Sequence, residues 1–299
     1  MPGVRHTLKQ FLMRLGRPAL ADLTARGESH ARAVAAIEEQ LRRIEATVDS
    51  LAGATLSLEK YREELGFWRW LITTEEGRAS LPAPFEVVFG AWQRDRLREL
   101  ARWLDLAEGD ALDPALDRWC AERSAIEIGA GPYPCLAAAP RWRRAVAIDP
   151  IARGYAEEGL IPASAAHVVY IEAPGERLPL PSASADLVIL ENALDHVSDP
   201  AAVLVESRRV LRADGLLWML VDLSTHTDHM HPHAFDERSI KALLARCGFQ
   251  SVRDRVSDHK SHPQAFGEYR GLLRPTPVAI PAIASRATAS QAASAGSSP

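Results

Sequence analysis

The sequence is short of the features that would place it outside a reducing, aqueous compartment. Its only cysteines, Cys120, Cys135 and Cys247, are too few and too scattered for a disulfide framework or for zinc-ligand spacing. No apolar run approaches the roughly eighteen residues of a membrane span. Lys9 and Arg14 interrupt Leu8–Leu15, which removes a signal-peptide core. A cytoplasmic location is the expectation. Excess positive charge is also missing: the net charge of −4 gives no general attraction to nucleic acid, and none is expected as a partner. What is present is ordinary globular composition, 47% hydrophobic and 25% charged over 299 residues. That length accommodates one large domain with appendages, or two small domains.

The chain is organised around residues 124–149, which read as strand, glycine turn, short helix and strand. An apolar run, Ala125-Ile126-Glu127-Ile128, feeds Gly129-Ala130-Gly131-Pro132-Tyr133-Pro134, and a second run ends at Ile148-Asp149-Pro150. Small residues in such a turn let a ligand approach bare backbone, and a helix opening after it aims amides at that ligand. A carboxylate about 20 residues on, at the tip of the next strand, is the usual partner of ribose hydroxyls. Asp149 fits that position. The turn is a poor dinucleotide fingerprint, because Pro134 occupies the slot of the third glycine and Glu127 would repel a pyrophosphate. A carboxylate at 127 suits a cationic, phosphate-free ligand instead. A nicotinamide dehydrogenase is disfavoured on the same grounds.

The turn resembles the first motif of class I S-adenosylmethionine-dependent methyltransferases, acid-x-Gly-x-Gly-x-Gly, with Glu127, Gly129 and Gly131 matching and Tyr133 departing. Later blocks are similar to the type 11-like branch that includes small-molecule methylases. Glu176, Leu178 and Pro179 match its third-strand loop, where Pro174 stands in place of an acid and Glu172 is the substitute for the adenine contact. Asp186, Val188, Leu194, His196 and Val197 match the fourth-strand block. Glu206, Arg209, Val210 and Leu211 match the helix that follows, with Ala213-Asp214-Gly215 replacing Pro-Gly-Gly. The resemblance covers about 124–273. It implies an α/β fold: a doubly wound, mostly parallel, Rossmann-like sheet of seven strands.

Patterning along the chain gives helices near Phe85–Leu106, Asp113–Cys120, Ile151–Glu158, Ala201–Leu211 and Asp236–Cys247. Strands are expected near His167–Ile171, Asp186–Leu190, Leu216–Val221, Gln250–Val256 and Glu268–Leu273, the last two as an antiparallel edge, with Gly215 as the stop signal of the fourth helix. Val34, Ile37, Leu41, Ile44, Val48, Leu51, Thr55 and Leu58 alternate steps of three and four, a heptad seam that predicts a coiled-coil helix and a homo-oligomer. Arg5, Lys9, Arg14 and Arg17 make residues 1–21 a basic arm. It reads either as a frayed amphipathic terminus or as a helix that makes weak contact with a membrane surface or docks on a partner. The expected domains are the arm at 1–27, the coil at 28–60, a helical lid or connector at 61–123, the methyltransferase domain at 124–274, and a disordered tail at 275–299, rich in Ala, Ser and Pro.

The resemblance implies S-adenosylmethionine as cofactor and these binding residues: Glu127 on the methionine ammonium, Gly129, Ala130 and Gly131 at the backbone, Asp149 on the ribose, with Pro150, Glu172, Glu176, Glu191 and Asn192 around it. His196, after the fourth strand, is the candidate base. Tyr61 and Trp68, in the aromatic run 61–70, either close over a ligand or dock the coil. His226, His229, His231 and His233 invite a metal reading, but zinc sites usually draw ligands from more than one segment. The resemblance gives His231 and His233, with Phe235 behind them, to the acceptor pocket, and no metal is expected. The reaction implied is O-methylation of a small-molecule or sugar-type hydroxyl, with N-methylation open. The competing class is a non-catalytic oligomeric scaffold that carries a methyltransferase-like domain.

Overall fold

Apolar side chains that alternate along successive strands divide the molecule into two cores on either side of one sheet. A computed structural model describes residues 58–276 apart from 140, 261 and 262, together with 35, 39, 40, 42 and 43. The basic arm, nearly all of the expected coil and the tail beyond 276 lie outside the described residues. The strands are β1 (Ser124–Ile128), β2 (Arg144–Asp149), β3 (Val169–Glu172), β4 (Ala185–Glu191), β5 (Leu211–Leu223), β6 (Phe249–Ser257) and β7 (Gly267–Pro275). Their order is β3-β2-β1-β4-β5-β7-β6. The first five pair in parallel, and β7 runs antiparallel between β5 and β6.

Helices cover both faces, as a parallel sheet requires. Ile126 and Ile128, Val146 and Ile148, Val188 and Leu190, and Leu217 and Met219 point to one side. There they meet Val203 and Leu204 of α6 (Pro200–Val210) and Ile240, Leu243 and Leu244 of α7 (Glu237–Arg246). Ala125, Ala145, Ala147, Leu187, Ile189 and Trp218 point to the other. They meet Leu97, Leu100 and Ala101 of α3 (Phe85–Trp103) and Leu112, Leu116 and Cys120 of α4 (Leu112–Ala121). Two further helices, α1 (58–73) and α2 (Glu75–Ala79), precede these, and α5 (Ala152–Glu157) follows β2. No helix among the described residues is long and apolar enough to cross a membrane.

Helix starts follow local chemistry. Asp199 accepts from the amides of Ala201 and Ala202 with Pro200 in the first turn, and Asp236 and Ser239 form a capping box at α7. The expected stop at Gly215 is corrected. Helix α6 ends at Val210, and Leu211 is already extended at φ −68°, ψ 141°, so the chain turns straight into β5 without a left-handed residue. Gly215 lies within that strand, where a Cβ would stand 2.9 Å from Leu211 Cδ2.

One charged cluster fastens α3 to the middle of the sheet. Arg270 on β7 is fully buried, with its guanidinium 3.1 Å from Glu99 of α3, 3.5 Å from Glu191 of β4 and 3.8 Å from Glu268. It also lies over the ring of Trp218. Removing one partner of such a set leaves buried charge unbalanced. Arg270→Met is expected to lower the unfolding free energy by about 3–5 kcal/mol, read from urea denaturation.

Candidate active site

The strand order reverses at β1, which has β2 on one side and β4 on the other, and such a switch opens a crevice beyond the carboxyl ends. A cavity of about 530 Å³ occupies it. Its floor is the turn after β1. Gly129 and Gly131 adopt φ of 68° and 58°, and a Cβ on Gly129 would lie 2.4 Å from that of Ala193, so no larger residue fits.

Two buried carboxylates hold this turn by its amides. Glu127 accepts from Cys135 N at 2.9 Å and Leu136 N at 3.0 Å, the opening of the 3-10 turn Cys135–Ala138. Asp149 accepts from Gly131 N and Ile151 N, each at 3.0 Å. The Tyr170 hydroxyl donates to Pro132 O at 3.0 Å, and Gln93 Nε2 donates to Tyr133 O at 3.0 Å. Tyr133, the departure from the glycine motif, is accommodated by a second glycine. Its hydroxyl lies where a Cβ on Gly90 of α3 would be 3.0 Å away, and its ring packs edge-on against Phe85.

The roof is α1. Lys60, Tyr61, Glu64, Phe67 and Trp68 all line the cavity. Trp68 also packs on Phe85 and Phe89, so the aromatic run both faces the cavity and docks the helix. Lys60 Nζ donates to the carbonyls of His196 and Met230, the latter at 2.8 Å, so one ammonium ties α1 to the loops after β4 and β5.

The lining is acidic. Glu64, Glu127, Asp149, Glu176 and Glu191 face the cavity, and Lys60 is committed to two carbonyls. Burial pushes the Glu127 carboxyl up to about 8 against the pull of its two amides. Burial and the neighbouring Asp149 push Glu64 up to about 7. Burial raises Asp149 to about 6, and it raises Glu191 against the opposing charges of Arg270 and Arg96. A space of this kind suits a ligand with positive charge and rejects phosphates.

Most of the expected residues come together here. Tyr61, Trp68, Glu127, Gly129, Ala130, Gly131, Asp149, Pro150, Glu176, Glu191, Asn192 and His196 line the one cavity. Several are also structural: Glu176 accepts from Ser198 N and Asp199 N, and Asn192 Oδ1 accepts from Asp222 N. Three of the expected residues do not line the cavity. Glu172 is off the cavity, at the tip of the outer strand β3 and 3.7 Å from Arg153; Pro174 and Gly175 form the wall at that level. His231 and His233 lie behind the wall. Asp228 accepts from Met230 N and His231 N and turns this loop so that Met230 meets the cavity. His231 packs on His196 with ring centroids 4.4 Å apart, and His233 approaches Ser198 O at 3.3 Å. Lys60, Glu64 and Gln93 were missed. Lys60 and Glu64 share a helical face with Tyr61 and Trp68, a signal that becomes readable once those aromatics are taken as facing a ligand.

The family described as a methyltransferase domain matches residues 126–219. No curated protein matches the chain. Among solved structures, a SAM-dependent methyltransferase of Leishmania major is similar at 14% identity over 72% of this chain and 83% of its own, with a TM-score of 0.48. The N-methyltransferase NodS of Bradyrhizobium japonicum is similar at 14% identity over 64% and 98%, TM-score 0.47. An N1-methyltransferase of Burkholderia thailandensis, solved with 1,6-didemethyltoxoflavin and S-adenosylhomocysteine, is similar at 19% identity over 66% and 92%, TM-score 0.41.

Glu64 ionises at about 7 in the folded chain against an ordinary 4.5. The folded state therefore holds a proton that the unfolded state has released, and stability falls as pH rises through that window. Glu64→Gln is expected to raise stability over the parent by an amount that is absent below pH 4.5 and reaches at most ~3 kcal/mol above about 7. Thermal melts across pH would show this; equal melting differences at acid and neutral pH would overturn it.

Proposed function

We propose that this protein, whose residues 126–219 match a methyltransferase domain, is an S-adenosylmethionine-dependent methyltransferase that methylates a hydroxyl of a small-molecule or sugar-type acceptor held between α1 and the loops after β4 and β5. The acid-lined cavity beyond β1 and β2 is the observation that carries this reading. Its five carboxylates complement an ammonium and a sulfonium, and its volume falls within the ~300–1,000 Å³ of small-molecule sites. When bound, S-adenosylmethionine supplies a methyl group made electrophilic by the sulfonium.

The residues then divide the work. Glu127 serves the methionine ammonium, directly or through water. Gly129, Ala130 and Gly131 admit the cofactor close to backbone, and Asp149 and Pro150 take the ribose end. Glu176, Glu191 and Asn192 complete the wall. Tyr61 and Trp68 shut out water from above. Alignment of acceptor and methyl is worth up to ~7–11 kcal/mol of barrier, which leaves a base the smaller share of ~10²–10⁴-fold. His196, half-buried on the cavity wall, serves the acceptor proton. As the acceptor oxygen takes the methyl group that the bound cofactor would supply, His196 would receive the hydroxyl proton. The three cysteines are buried and unbridged, which supports a reducing compartment.

Calorimetry with S-adenosylmethionine tests the binding half. Micromolar binding lost in Asp149→Ala is expected; no binding to the parent would favour the scaffold reading. Affinity should tighten as pH rises from 6 to about 8, where Asp149, then Glu64, then Glu127 ionise. Transfer of labelled methyl to a panel of hydroxylated compounds and saccharides tests the acceptor class, and labelling of amines alone would overturn it.

A further inference from the structure

Behind the cavity wall, two loops that are far apart in sequence bring Asp195, His196 and His231 together. One ligand atom from each lies within 4.8 Å of the other two. We propose that these three side chains form a site for a first-row divalent transition-metal ion of the zinc type, at the acceptor end of the cavity. The set is two imidazoles and a carboxylate, with positions left for an acceptor oxygen or water, as in catalytic rather than closed structural sites. The ligands come from separate segments, one after β4 and one after β5, as zinc sites commonly require.

Three observations beyond proximity support it. Asp195 is 5% exposed, and its Oδ1 has no hydrogen-bond partner among the described residues. A buried carboxylate oxygen without a donor is costly, and a cation answers that need. Next, Asp228 Oδ1 lies 3.1 Å from His231 Nδ1. A carboxylate on Nδ1 fixes the proton there and assigns Nε2 to the metal, the usual arrangement around ligating histidines. Finally, the rings of His196 and His231 already stand edge to face at 4.4 Å between centroids. Two imidazoles sharing one ion at ~2.0–2.1 Å from their nitrogens bring their centroids to about 5 Å. Ligand atoms around a tetrahedral ion sit about 3.4 Å apart, so a shift on the scale of a side-chain rotation closes the set.

The loops are held in register for this. His233 N donates to Asp195 O at 3.4 Å, and Lys60 clamps the carbonyls of His196 and Met230. The role, which rests on the proposed function, is to lower the pKa of an acceptor hydroxyl drawn onto the ion. Under this assignment His196 is a ligand and not the base: the ion lowers the pKa of the bound hydroxyl, whose proton then leaves to water.

The test uses the full, untagged chain stripped with chelator and titrated with cobalt(II), followed by visible absorption. One saturable equivalent with the bands of a four- or five-coordinate ion is expected. His231→Gln and Asp195→Asn should weaken it more than about 100-fold, and Asp228→Asn about 10–100-fold. His226→Gln and His229→Gln should leave it unchanged. Absence of a saturable band, retention of affinity in His231→Gln, or equal loss in His229→Gln would overturn the site. Circular dichroism and S-adenosylhomocysteine calorimetry on the same samples separate misfolding from ligand loss. A parent that binds cobalt but not S-adenosylhomocysteine would keep the metal site while removing the proposed function.

Discussion

Buried carboxylates that accept backbone amides are the constraint on which the rest of the site depends. Glu127 and Asp149 stand at the ends of adjacent parallel strands, and each spends its oxygens on the amides of the turns that follow. Three amide donors, two glycines in left-handed conformations and the Ala193 methyl against Gly129 leave the turn after β1 one shape. The same carboxylates give the space above it a negative potential. Shape and charge of the proposed cofactor site therefore come from one pair of carboxylates, and the burial that raises both pKa values is the cost. A cationic ligand offsets that cost, because its charge favours the ionised form of both groups.

The second constraint is the convergence of three segments on Lys60. Helix α1 precedes the sheet domain, yet its ammonium bonds carbonyls of the loops after β4 and β5. Its aromatic face packs on α3 and on the turn after β1 at the same time. The roof is thus fixed both by apolar packing at one end and by buried hydrogen bonds at the other. Below it, Arg270 joins Glu191 at the end of β4 to Glu99 on α3, so the cavity wall is braced from beneath the sheet. The loops carrying Asp195, His196 and His231 lie between roof and brace.

Sequence and structure divide along a physical line. The alternation of apolar residues, the glycine turn and the spacing to Asp149 are local patterns, and local patterns carried the strand and helix order through to β7. Cap chemistry was likewise legible at Asp199 and Asp236. Gly215 misled because a helix stop was inferred from residue type, whereas the direct passage from Val210 into β5 depends on pairing with β4. Glu172, His231 and His233 were assigned by position in a motif. Whether a side chain faces a cavity is set by the turn that Asp228 imposes and by the neighbour each strand acquires, and neither is written in spacing. The sequence by itself determined the sheet, its glycine turn and the sign of the charge around it, because periodicity and residue type suffice for those. Only the tertiary structure decided that Lys60 and Glu64 belong to the site and that Asp195, His196 and His231 meet, because contacts between residues 35 to 170 positions apart are fixed by packing rather than by any local rule.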